Sequence, residues 1–221
     1  MVLKLYGDNS PVGGSGIVAM VLLEKKIPFE LIHIDLSKGE NKTPEYLALH
    51  QFGLVPIIDD DGFILHEARA ICRYLEEKYA GQGTRFIPTE LRDKARFEEG
   101  ASVELTEFFP RLRRLAVELG FNPQQKASTD EAALPEAKAA LAKTLSEYEW
   151  ILSQQKYIGG DELTLADIFH LYSVPPLKRA GFDVIALLAD KCPNVKRWYN
   201  DLVSRSSWVK LQEGIQSVAM Y

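Results

Sequence analysis

Short apolar runs alternate with segments of helical pattern in the first third of the chain. Leu3 to Tyr6 is an apolar run with an aromatic residue and predicts a strand. Ile17 to Lys26 has the length and the Leu, Ala, Met and Lys content of a helix. Apolar and polar residues alternate from Phe29 to Leu36, which predicts a second strand. The chain therefore opens with a strand, a helix and a strand.

A short helix, a hairpin and a longer helix are predicted next. Pro44 suits the first position of a short helix, where a missing N–H removes no hydrogen bond. Val55 to Ile58 and Phe63 to Leu65 predict two brief strands around the sequence DDDG, in which Asp and Gly tolerate the positive φ of a tight turn. Glu67 to Tyr79 has apolar residues at helical spacing. The hairpin implies antiparallel pairing.

Glycine and proline concentrate between Ala80 and Thr89, which marks a linker after the first unit. Beyond it the pattern is helical, and no strand period reappears. Helices are predicted over Glu90 to Leu119 with a kink at Pro110, Thr129 to Gln154, Thr164 to Arg179, Pro193 to Ser204 and a short terminal segment. We therefore expect an α/β domain over residues 1–80, a linker over 81–89 and an all-helical domain over 90–221.

Composition and charge limit the kind of partner. The 221 residues include 26 Lys plus Arg against 31 Asp plus Glu, a formal net charge of −5. This balance argues against a nucleic-acid backbone or an anionic membrane surface and favours a small molecule or another protein. No apolar run approaches the ~18 residues that span a bilayer, and the N-terminal residues lack a signal-peptide pattern. We expect a cytoplasmic protein.

Cysteine usage gives no sign of a metal site. The two cysteines, Cys72 and Cys192, lie far apart in the sequence. No C-x-x-C spacing and no His cluster accompanies them, so the sequence predicts neither a zinc site nor a dithiol redox motif. We expect a reducing compartment and no metal.

The loop after the first strand is rich in glycine and serine. Gly14, Gly16 and Ala19 match the G-x-G-x-x-[G/A] dinucleotide fingerprint, and Asp35 stands where a ribose-binding acid would be expected. Two features oppose this interpretation, because seven residues separate the strand from Gly14 and the chain continues into a hairpin. A phosphate loop is excluded, since no Gly-Lys-[Ser/Thr] follows. A nucleotide-binding oxidoreductase is therefore a minor alternative.

Three motifs in order resemble those of one family. FGLVP (residues 52–56) precedes the hairpin, EARAI (67–71) follows it, and GGDELTLADI (159–168) lies in the helical part. With the order of elements, they make the chain similar to the cytosolic glutathione transferases, most of all to the phi class and its fungal relatives. The resemblance implies a thioredoxin-like α/β domain followed by an all-α helical bundle. It also implies that Thr164 and Asp167 form the N-cap of a buried helix.

The resemblance implies an enzyme that conjugates glutathione to hydrophobic electrophiles. Glutathione reacts as a thiolate, and a helix N-terminus with a hydroxyl donor stabilises that anion. Ser10 is our first choice for the donor and Ser15 the alternative, because both lie near the start of the first helix. Val12 falls at the family's serine position in an ungapped comparison. A turn residue and a helix cap are the competing interpretation of the two serines.

The resemblance also implies main-chain contacts to the glutathione peptide, which is the co-substrate. Pro56 resembles the family's cis-proline, which leaves the backbone of Val55 free to pair with the tripeptide like an added strand. Glu67 and Ala68 begin the third helix, whose N–H groups would receive the γ-glutamyl carboxylate.

Side-chain contacts to glutathione depart from the family pattern. Lys42 matches a cation that meets the glycyl carboxylate. Asn41 and Leu54 stand where phi members usually have His and Gln, and Ala68 stands at a position that is usually Ser. Losing one hydrogen bond to a charged group costs ~1.5–3 kcal/mol. These substitutions favour the alternative function, a catalytically weak protein of the same fold that binds hydrophobic ligands or acts as a regulatory partner.

The second substrate and the assembly follow from the same resemblance. An apolar pocket beside the sulfur is expected to be lined by Val12, Phe108, Phe109, Leu112 and Leu115. An aromatic stripe at this spacing also fits a helical core, and that interpretation stays open. Phe52 resembles an aromatic key that inserts into a partner subunit, so we expect a C₂ homodimer.

Overall fold

The computed structural model of this chain describes residues 2–121, 128, 130–172, 183, 185 and 191–221. These fall into two compact units, a first unit of Met1–Phe86 with Arg205–Tyr221, and a second unit of Ile87–Ser204. A search of the described helices for one long and apolar enough to cross a membrane finds none. The domain boundaries expected from the sequence, at 80 and 90, stay a prediction of domain organisation.

The first unit contains a four-stranded sheet of strand order β2-β1-β3-β4. Its strands are β1 (Leu3–Gly7), β2 (Phe29–His33), β3 (Ile57–Asp60) and β4 (Phe63–His66). β1 and β2 are parallel, whereas β3 is antiparallel to both of its neighbours. The predicted strand–helix–strand opening and the hairpin are confirmed.

Three helices accompany the sheet, namely α1 (Gly13–Glu24), α2 (Pro44–Leu49) and α3 (Ala68–Lys78). α1 is fully buried over residues 17–22. A helix that is apolar all round belongs in a core, which fits its uniform run of aliphatic residues. It begins at Gly13, before the predicted Ile17. α2 starts as predicted at Pro44, and Thr43 caps it by accepting a hydrogen bond from Tyr46 N at 3.3 Å.

The hairpin turn between β3 and β4 has the residue types that its geometry requires. Asp61 and Gly62 have φ values of 57° and 89°. Two consecutive positive φ values match the twist of the flanking strands, and Asp and Gly adopt them at low cost. Asp59 Oδ1 accepts a hydrogen bond from Gly62 N at 2.8 Å, which holds the turn closed.

The described elements of the second unit are helices, apart from an isolated bridge between Tyr157 and Gly160. They are α4 (Leu91–Val103), α5 (Phe109–Ala116), α6 (Leu134–Gln154), α7 (Leu165–Phe169) and α8 (Pro193–Val203). The α/β fold with a helical second part is confirmed. The predicted helix over 164–179 is described as far as Tyr172, and its remainder lies outside the described residues.

A π-helical turn stands where the sequence predicts a kink. The turn spans Glu104–Phe108 and joins α4 to α5, with Pro110 in the first turn of α5. Proline has no N–H to donate to the carbonyl four residues back, so the regular hydrogen-bond ladder cannot continue here. The π turn changes the ladder at this point, and the backbone of Phe109 remains helical at φ −58° and ψ −43°.

α7 begins with the predicted capping box. Asp167 Oδ2 accepts hydrogen bonds from Thr164 N at 2.9 Å and from Thr164 Oγ1 at 3.0 Å. Asp167 Oδ1 accepts from Ile158 N and Trp198 Nε1, both at 2.9 Å. Burial raises the pKa of Asp167, and these hydrogen bonds oppose the rise. One fully buried carboxylate therefore joins α7 to the loop before it and to α8.

The C-terminal residues return to the first unit. α9 (Ser206–Leu211) packs against α1, and Val218 forms a bridge with Phe29 of β2. Glu24, the last residue of α1, accepts hydrogen bonds from Nε and Nη2 of Arg205, both at 2.7 Å. Burial raises the pKa of Glu24, but hydrogen bonds led by that of Arg205 outweigh burial and lower it. The helical domain expected over 90–221 thus differs from the second unit in its last residues.

Candidate active site

The loop between β1 and α1 brings Ser10 next to a helix N-terminus. Val12 holds the N-cap position in an extended conformation, and within the described part of the chain no side chain caps α1. Ser10 is half-buried, and its Oγ accepts a hydrogen bond from Val12 N at 3.4 Å. The first N–H groups of α1 have no partner inside the helix, so this end attracts anions.

Ser15 lies inside α1 and is fully buried. Its Oγ donates a hydrogen bond to Asp8 Oδ1 at 2.8 Å, which ties the helix to the preceding loop. A Cβ atom on Gly7 would lie 2.6 Å from this Oγ, so the close packing requires glycine there. The Ser15 proton is therefore engaged, whereas Ser10 accepts in its bond to Val12 and keeps its own O–H for donation.

Gly14 is the point at which three segments of the first unit meet. A Cβ atom built on Gly14 would lie 2.6 Å from Pro56 Cδ, 3.2 Å from Val55 O and 3.3 Å from Ala68 Cβ. The absence of a side chain at Gly14 lets the start of α1 approach the Val55–Pro56 turn and the start of α3. Close backbone approach is a common reason for glycine.

The other residues of the nucleotide fingerprint also have local structural roles. A Cβ atom on Gly16 would lie 2.1 Å from Pro11 O. Asp35 Oδ1 accepts a hydrogen bond from Ser37 N at 3.0 Å and caps a short 3₁₀ helix. Hydrogen bonds from Ser37 and Lys38 lower the pKa of Asp35. Packing thus explains the glycines, and capping explains the acid.

The peptide bond between Val55 and Pro56 is cis, as the resemblance implied. β3 begins only at Ile57, so Val55 lies outside the registers of the described strands. Val55 O lies close to Gly14 at the start of α1, so the main chain of Val55 stands next to a helix N-terminus, where an extended peptide can pair with it.

Three side chains hold the loop that precedes the cis peptide bond. Asn41 Nδ2 donates to Gly53 O at 2.7 Å, and Lys42 Nζ donates to the same carbonyl at 2.8 Å. Tyr46 Oη donates to Leu54 O at 2.8 Å, and burial raises the pKa of Tyr46 to about 12. Asn41 and Lys42, which the resemblance assigns to glutathione, therefore contact the protein backbone here. The sequence analysis did not select Tyr46 as a residue that holds this loop, because its position in a short helix predicts only packing.

The tip of this loop exposes two apolar side chains. Phe52 is 69% exposed and Leu54 is 53% exposed. Lys42 Nζ donates to Phe52 O at 3.0 Å, so the backbone that presents the aromatic ring is held. Contiguous exposed apolar surface is typical of an interaction site, and this loop tip exposes two apolar side chains.

α3 begins at Ala68, directly after a residue with unusual backbone geometry. Glu67 has a φ of 73°, in the left-handed region that is uncommon for residues other than glycine. Such strained positions cluster at functional sites. Among the described side chains none caps α3. Glu67 is exposed and Ala68 is buried, so this N-terminus has no hydroxyl group at its first position.

Two histidines that the sequence analysis did not select lie beside Glu67. His50 follows α2 and His66 ends β4, and their rings stack with centroids 4.1 Å apart and planes at 13°. Burial lowers the pKa of His50, and the nearby His66 acts in the same direction. No metal-binding spacing links positions 50 and 66, so only the folded chain reveals the pair.

Three of the residues predicted to line an apolar pocket lie in the core of the second unit. Phe108, Leu112 and Leu115 are almost wholly buried, and Phe108 packs against other aromatic rings of that unit. Side chains this buried fit the core interpretation that the sequence left open, and the pocket stays a prediction. Val12 and Phe109 are half-buried and stay predictions.

The arrangement around Gly14 is suited to an extended peptide with negative groups. Gly14 lies in the first turn of α1 and the start of α3 approaches it, so two positive helix-dipole ends lie close together. The cis turn adds a main-chain segment that can pair with a peptide. This set of groups can bind a small peptide at its backbone, stabilise a thiolate at one helix end and hold a carboxylate at the other.

Two family models match this chain. One is the N-terminal domain of glutathione S-transferase, over residues 15–78, and the other is the C-terminal domain of glutathione S-transferase, over residues 105–206. Together they cover most of the chain.

Curated relatives agree with these models over nearly full length. Glutathione S-transferase hmp2 of Hypomyces subiculosus is 41% identical over 213 residues, which are 95% of this chain and 97% of the relative. Glutathione S-transferase F9 of Arabidopsis thaliana is 37% identical over 212 residues, which are 94% of this chain and 95% of the relative.

Solved structures have the same architecture. Glutathione transferase F2 of Populus trichocarpa superposes with a TM-score of 0.88 at 35% identity, covering 96% of this chain and 97% of that one. Maize glutathione S-transferase I, solved in complex with an atrazine glutathione conjugate, superposes with a TM-score of 0.84 at 29% identity, again covering 96% and 97%.

Proposed function

The chain belongs to the phi class of the glutathione S-transferase family, and from this premise we propose that it is a serine-type enzyme with Ser10 as the catalytic hydrogen-bond donor. In this proposal the enzyme binds glutathione along the cis turn of the first unit. It holds the glutathione sulfur as a thiolate at the N-terminus of α1 and transfers it to a hydrophobic electrophile.

The meeting of three backbone segments at Gly14 is the observation that supports this proposal best. Pro56 Cδ, Val55 O and Ala68 Cβ would all lie within 3.3 Å of a Cβ atom there. Such an approach serves a ligand that contacts main-chain groups from α1, the cis turn and α3 at the same time. These contacts do not depend on the side chains that depart from the family pattern.

Ser10 is favoured over Ser15 by its hydrogen bonding. The Ser15 hydroxyl is buried and donates to Asp8, whereas the Ser10 hydroxyl accepts from Val12 and can still donate. A hydroxyl that donates to a sulfur anion at a helix N-terminus lowers the pKa of the thiol.

The remaining parts of glutathione are assigned by charge and by hydrogen-bonding capacity. The backbone of Val55 pairs with the cysteinyl part, and the N-terminus of α3 at Glu67 and Ala68 receives the γ-glutamyl carboxylate. Lys42 faces the glycyl carboxylate with its positive charge. Asn41 acts mainly through the loop that it holds by its 2.7 Å bond to Gly53 O.

The chemical step is a nucleophilic substitution at a carbon atom of the electrophile. The thiol proton leaves to solvent, and the thiolate uses an electron pair to form a new S–C bond with the electrophile. The leaving group departs with the electrons of its own bond to that carbon. Ser10 keeps its proton throughout, since its role is to stabilise the anion by hydrogen bonding.

A hydrophobic second substrate is proposed from the relatives. The maize enzyme was solved with a glutathione conjugate of atrazine, an aromatic compound. We propose that half-buried Val12, two residues after Ser10, contacts the electrophile.

Replacement of Ser10 tests the proposed mechanism. Ser10→Ala should lower kcat/KM for an aryl halide by about 10- to 150-fold, since a hydrogen bond to a charged group contributes ~1.5–3 kcal/mol. The pH–rate profile should move to higher pH, because the thiol pKa rises when the donor is lost. Ser15→Ala is the matched comparison and should leave the thiol pKa unchanged.

Two results would contradict the assignment. An unchanged pH–rate profile in Ser10→Ala, with a raised thiol pKa in Ser15→Ala, would transfer the role to Ser15. Glutathione binding by calorimetry without turnover of any electrophile would instead favour the binding-protein alternative.

A C₂ homodimer is proposed from the exposed aromatic ring of Phe52. The ring is 69% exposed on a loop whose backbone is held by Lys42. Phe52→Ala should shift the sedimentation coefficient toward that of a monomer. A chain that sediments as a monomer before the substitution would refute the proposal.

A further inference from the structure

Residues 214–218 lead from the end of α9 to the edge strand β2, and we call them the 214–218 segment. At its start Gly214 N donates a hydrogen bond to Leu211 O at 2.9 Å. At its end Val218 exchanges two backbone hydrogen bonds with Phe29 of β2, at 2.8 and 2.9 Å. The segment is therefore fixed at both ends within the first unit.

The middle of the 214–218 segment is also held. The Ile215 side chain is 3% exposed. Ser217 Oγ accepts a hydrogen bond from Leu31 N of β2 at 2.9 Å. A backbone that is anchored by burial and by hydrogen bonds on either side has little freedom to move, so the N–H group of Ile215 is a fixed donor.

This fixed donor meets the loop that carries Ser10. Ile215 N donates a hydrogen bond to Asn9 O at 2.9 Å. Asn9 directly precedes Ser10, so the carbonyl of Asn9 and the N–H of Ser10 belong to one planar peptide unit. A hydrogen bond that fixes this carbonyl also fixes the plane from which the Ser10 side chain extends.

The local contacts of the loop hold Ser10 less firmly. Asp8 is tied to α1 by the Ser15 hydroxyl at 2.8 Å, but this bond lies two residues before Ser10. Ser10 Oγ accepts from Val12 N at 3.4 Å, which is longer than a usual N–H···O hydrogen bond. The 2.9 Å bond from Ile215 is the stronger restraint of these last two.

We propose that Ile215 is a positioning residue of the transferase reaction, whose backbone N–H fixes the Asn9–Ser10 peptide unit and so orients the Ser10 hydroxyl toward the glutathione sulfur. The inference rests on the function proposed above, in which Ser10 donates to the thiolate. Hydrogen bonds weaken steeply with poor alignment, and a displacement of about 1 Å at a reacting group can cost about 100-fold in rate.

Ile215→Pro tests the proposal, because proline has no N–H to donate. The measurement is the pKa of the bound glutathione thiol, followed by the ultraviolet absorbance of the thiolate as the pH is raised. This pKa should rise by up to about 1 pH unit, and kcat/KM for an aryl halide should fall about 2- to 12-fold, the factor that one hydrogen bond within a protein contributes. The KM for glutathione should change little, since the main-chain contacts at Val55 remain.

Ile215→Ala is the matched control. It removes a buried side chain but keeps the N–H donor. This variant should unfold at a lower urea concentration and leave the thiol pKa unchanged. If the segment acts only on stability, the thiol pKa moves in both variants at position 215 or in neither, and the proposal is wrong.

Gly214→Ala keeps the test decisive if Ile215→Pro does not fold. Gly214 has a φ of 97°, which other residues rarely adopt, and an added Cβ would lie 3.4 Å from Asn9 O. Alanine there displaces the backbone that carries the donor, so the thiol pKa should rise. Gly62→Ala places the same strain at a φ of 89° with nothing within 4 Å of the added Cβ, and it should leave the thiol pKa unchanged.

Combination with Ser10→Ala separates this inference from the proposed function. Ile215→Pro, or Gly214→Ala in its place, should raise the thiol pKa in the unchanged chain and add nothing once Ser10 is replaced. No rise in the unchanged chain, or a rise that persists in Ser10→Ala, would overturn the inference and leave the proposed role of Ser10 intact. A thiol pKa that does not respond to Ser10→Ala would overturn the proposed function, and this inference with it.

Discussion

Two helix starts in this protein are built in opposite ways. α7 begins with a capping box in which the buried Asp167 carboxylate accepts four hydrogen bonds. α3 begins after Glu67 in a left-handed conformation, and no described side chain caps it. At the start of α7 the hydrogen-bond donors find acceptors within the protein. At the start of α3 the first backbone N–H groups stay available to a ligand.

The two kinds of helix start contribute to different properties, one to the stability of the fold and the other to ligand binding. A helix start whose N–H groups are satisfied and buried stabilises the fold, and it has nothing left to offer an anion. A start with open N–H groups stabilises the fold less, but its dipole and donors can receive a carboxylate. α1 resembles α3 in this respect, since no described side chain caps it either. Substitutions at the two kinds of start should therefore affect different measurements.

The largest effect is expected at the satisfied start. Asp167→Ala should lower the free energy of unfolding by about 3–5 kcal/mol, because four buried hydrogen-bond donors lose their acceptor. Urea unfolding followed by circular dichroism measures this loss. Glutathione affinity of the folded fraction should be unchanged, since α7 does not belong to the proposed binding site.

Asp93→Ala is the control for this substitution. Asp93 is an exposed acid in the first turn of α4, and its replacement should change stability by no more than about 0.5 kcal/mol. If Asp167→Ala were as stable as Asp93→Ala, the capping box would have no special role.

A smaller effect on both measurements is expected at Gly14. In Gly14→Ala the new methyl group would lie 2.6 Å from Pro56 Cδ, so the cis turn or α1 must move. Overpacking of this kind costs about 1–3 kcal/mol. Because Val55 and Ala68 move with it, glutathione affinity by calorimetry should fall as well.

Gly81→Ala is the matched control in the same unit. Nothing lies within 4 Å of a Cβ atom built on Gly81. Its stability and its glutathione affinity should stay close to those of the unchanged chain. Equal behaviour of the two variants would mean that the close approach at Gly14 does not matter for binding.

The smallest effect is expected from adding a donor to the open start. Ala68→Ser would supply the hydroxyl that the family usually has at the beginning of α3. One hydrogen bond to a carboxylate should tighten glutathione binding about tenfold, with little change in stability.

Ala70→Ser separates a specific gain from a general one. Ala70 is exposed in the same helix, so a hydroxyl there should leave the affinity unchanged. Calorimetry that finds no gain in Ala68→Ser, or the same gain in Ala70→Ser, would show that the γ-glutamyl carboxylate does not lie at this helix end.

Much of the fold could be predicted from local patterns. The alternation in Phe29 to Leu36, the DDDG turn and the helical spacing after Glu67 gave elements that the structure contains. Turn chemistry and periodicity depend on neighbours within a few residues, so a single sequence is enough to recognise them. The three family motifs then gave the fold class and the enzyme family.

The candidate site was harder to predict because it depends on distant pairs. The hydrogen bond of Ser15 to Asp8 and the burial of Phe108 bear on the proposed roles of these residues, and neither contact can be recognised from neighbouring residues in the sequence. Lys42 donates to the carbonyls of Phe52 and Gly53, a contact that its sequence neighbours do not indicate, and its role toward glutathione stays a proposal. Composition gives no information on such contacts, since each depends on where the chain returns in space.

The sequence by itself determined the order of strands and helices, the cis-proline motif and the capping box, since each depends on residues that are close together in the chain. The tertiary structure alone decided the pairing of buried Lys25 with Glu76 at 2.7 Å, the stacking of His50 on His66 and the return of Val218 to β2. These contacts join residues far apart in the chain, and their energies depend on burial and distance that exist only after folding.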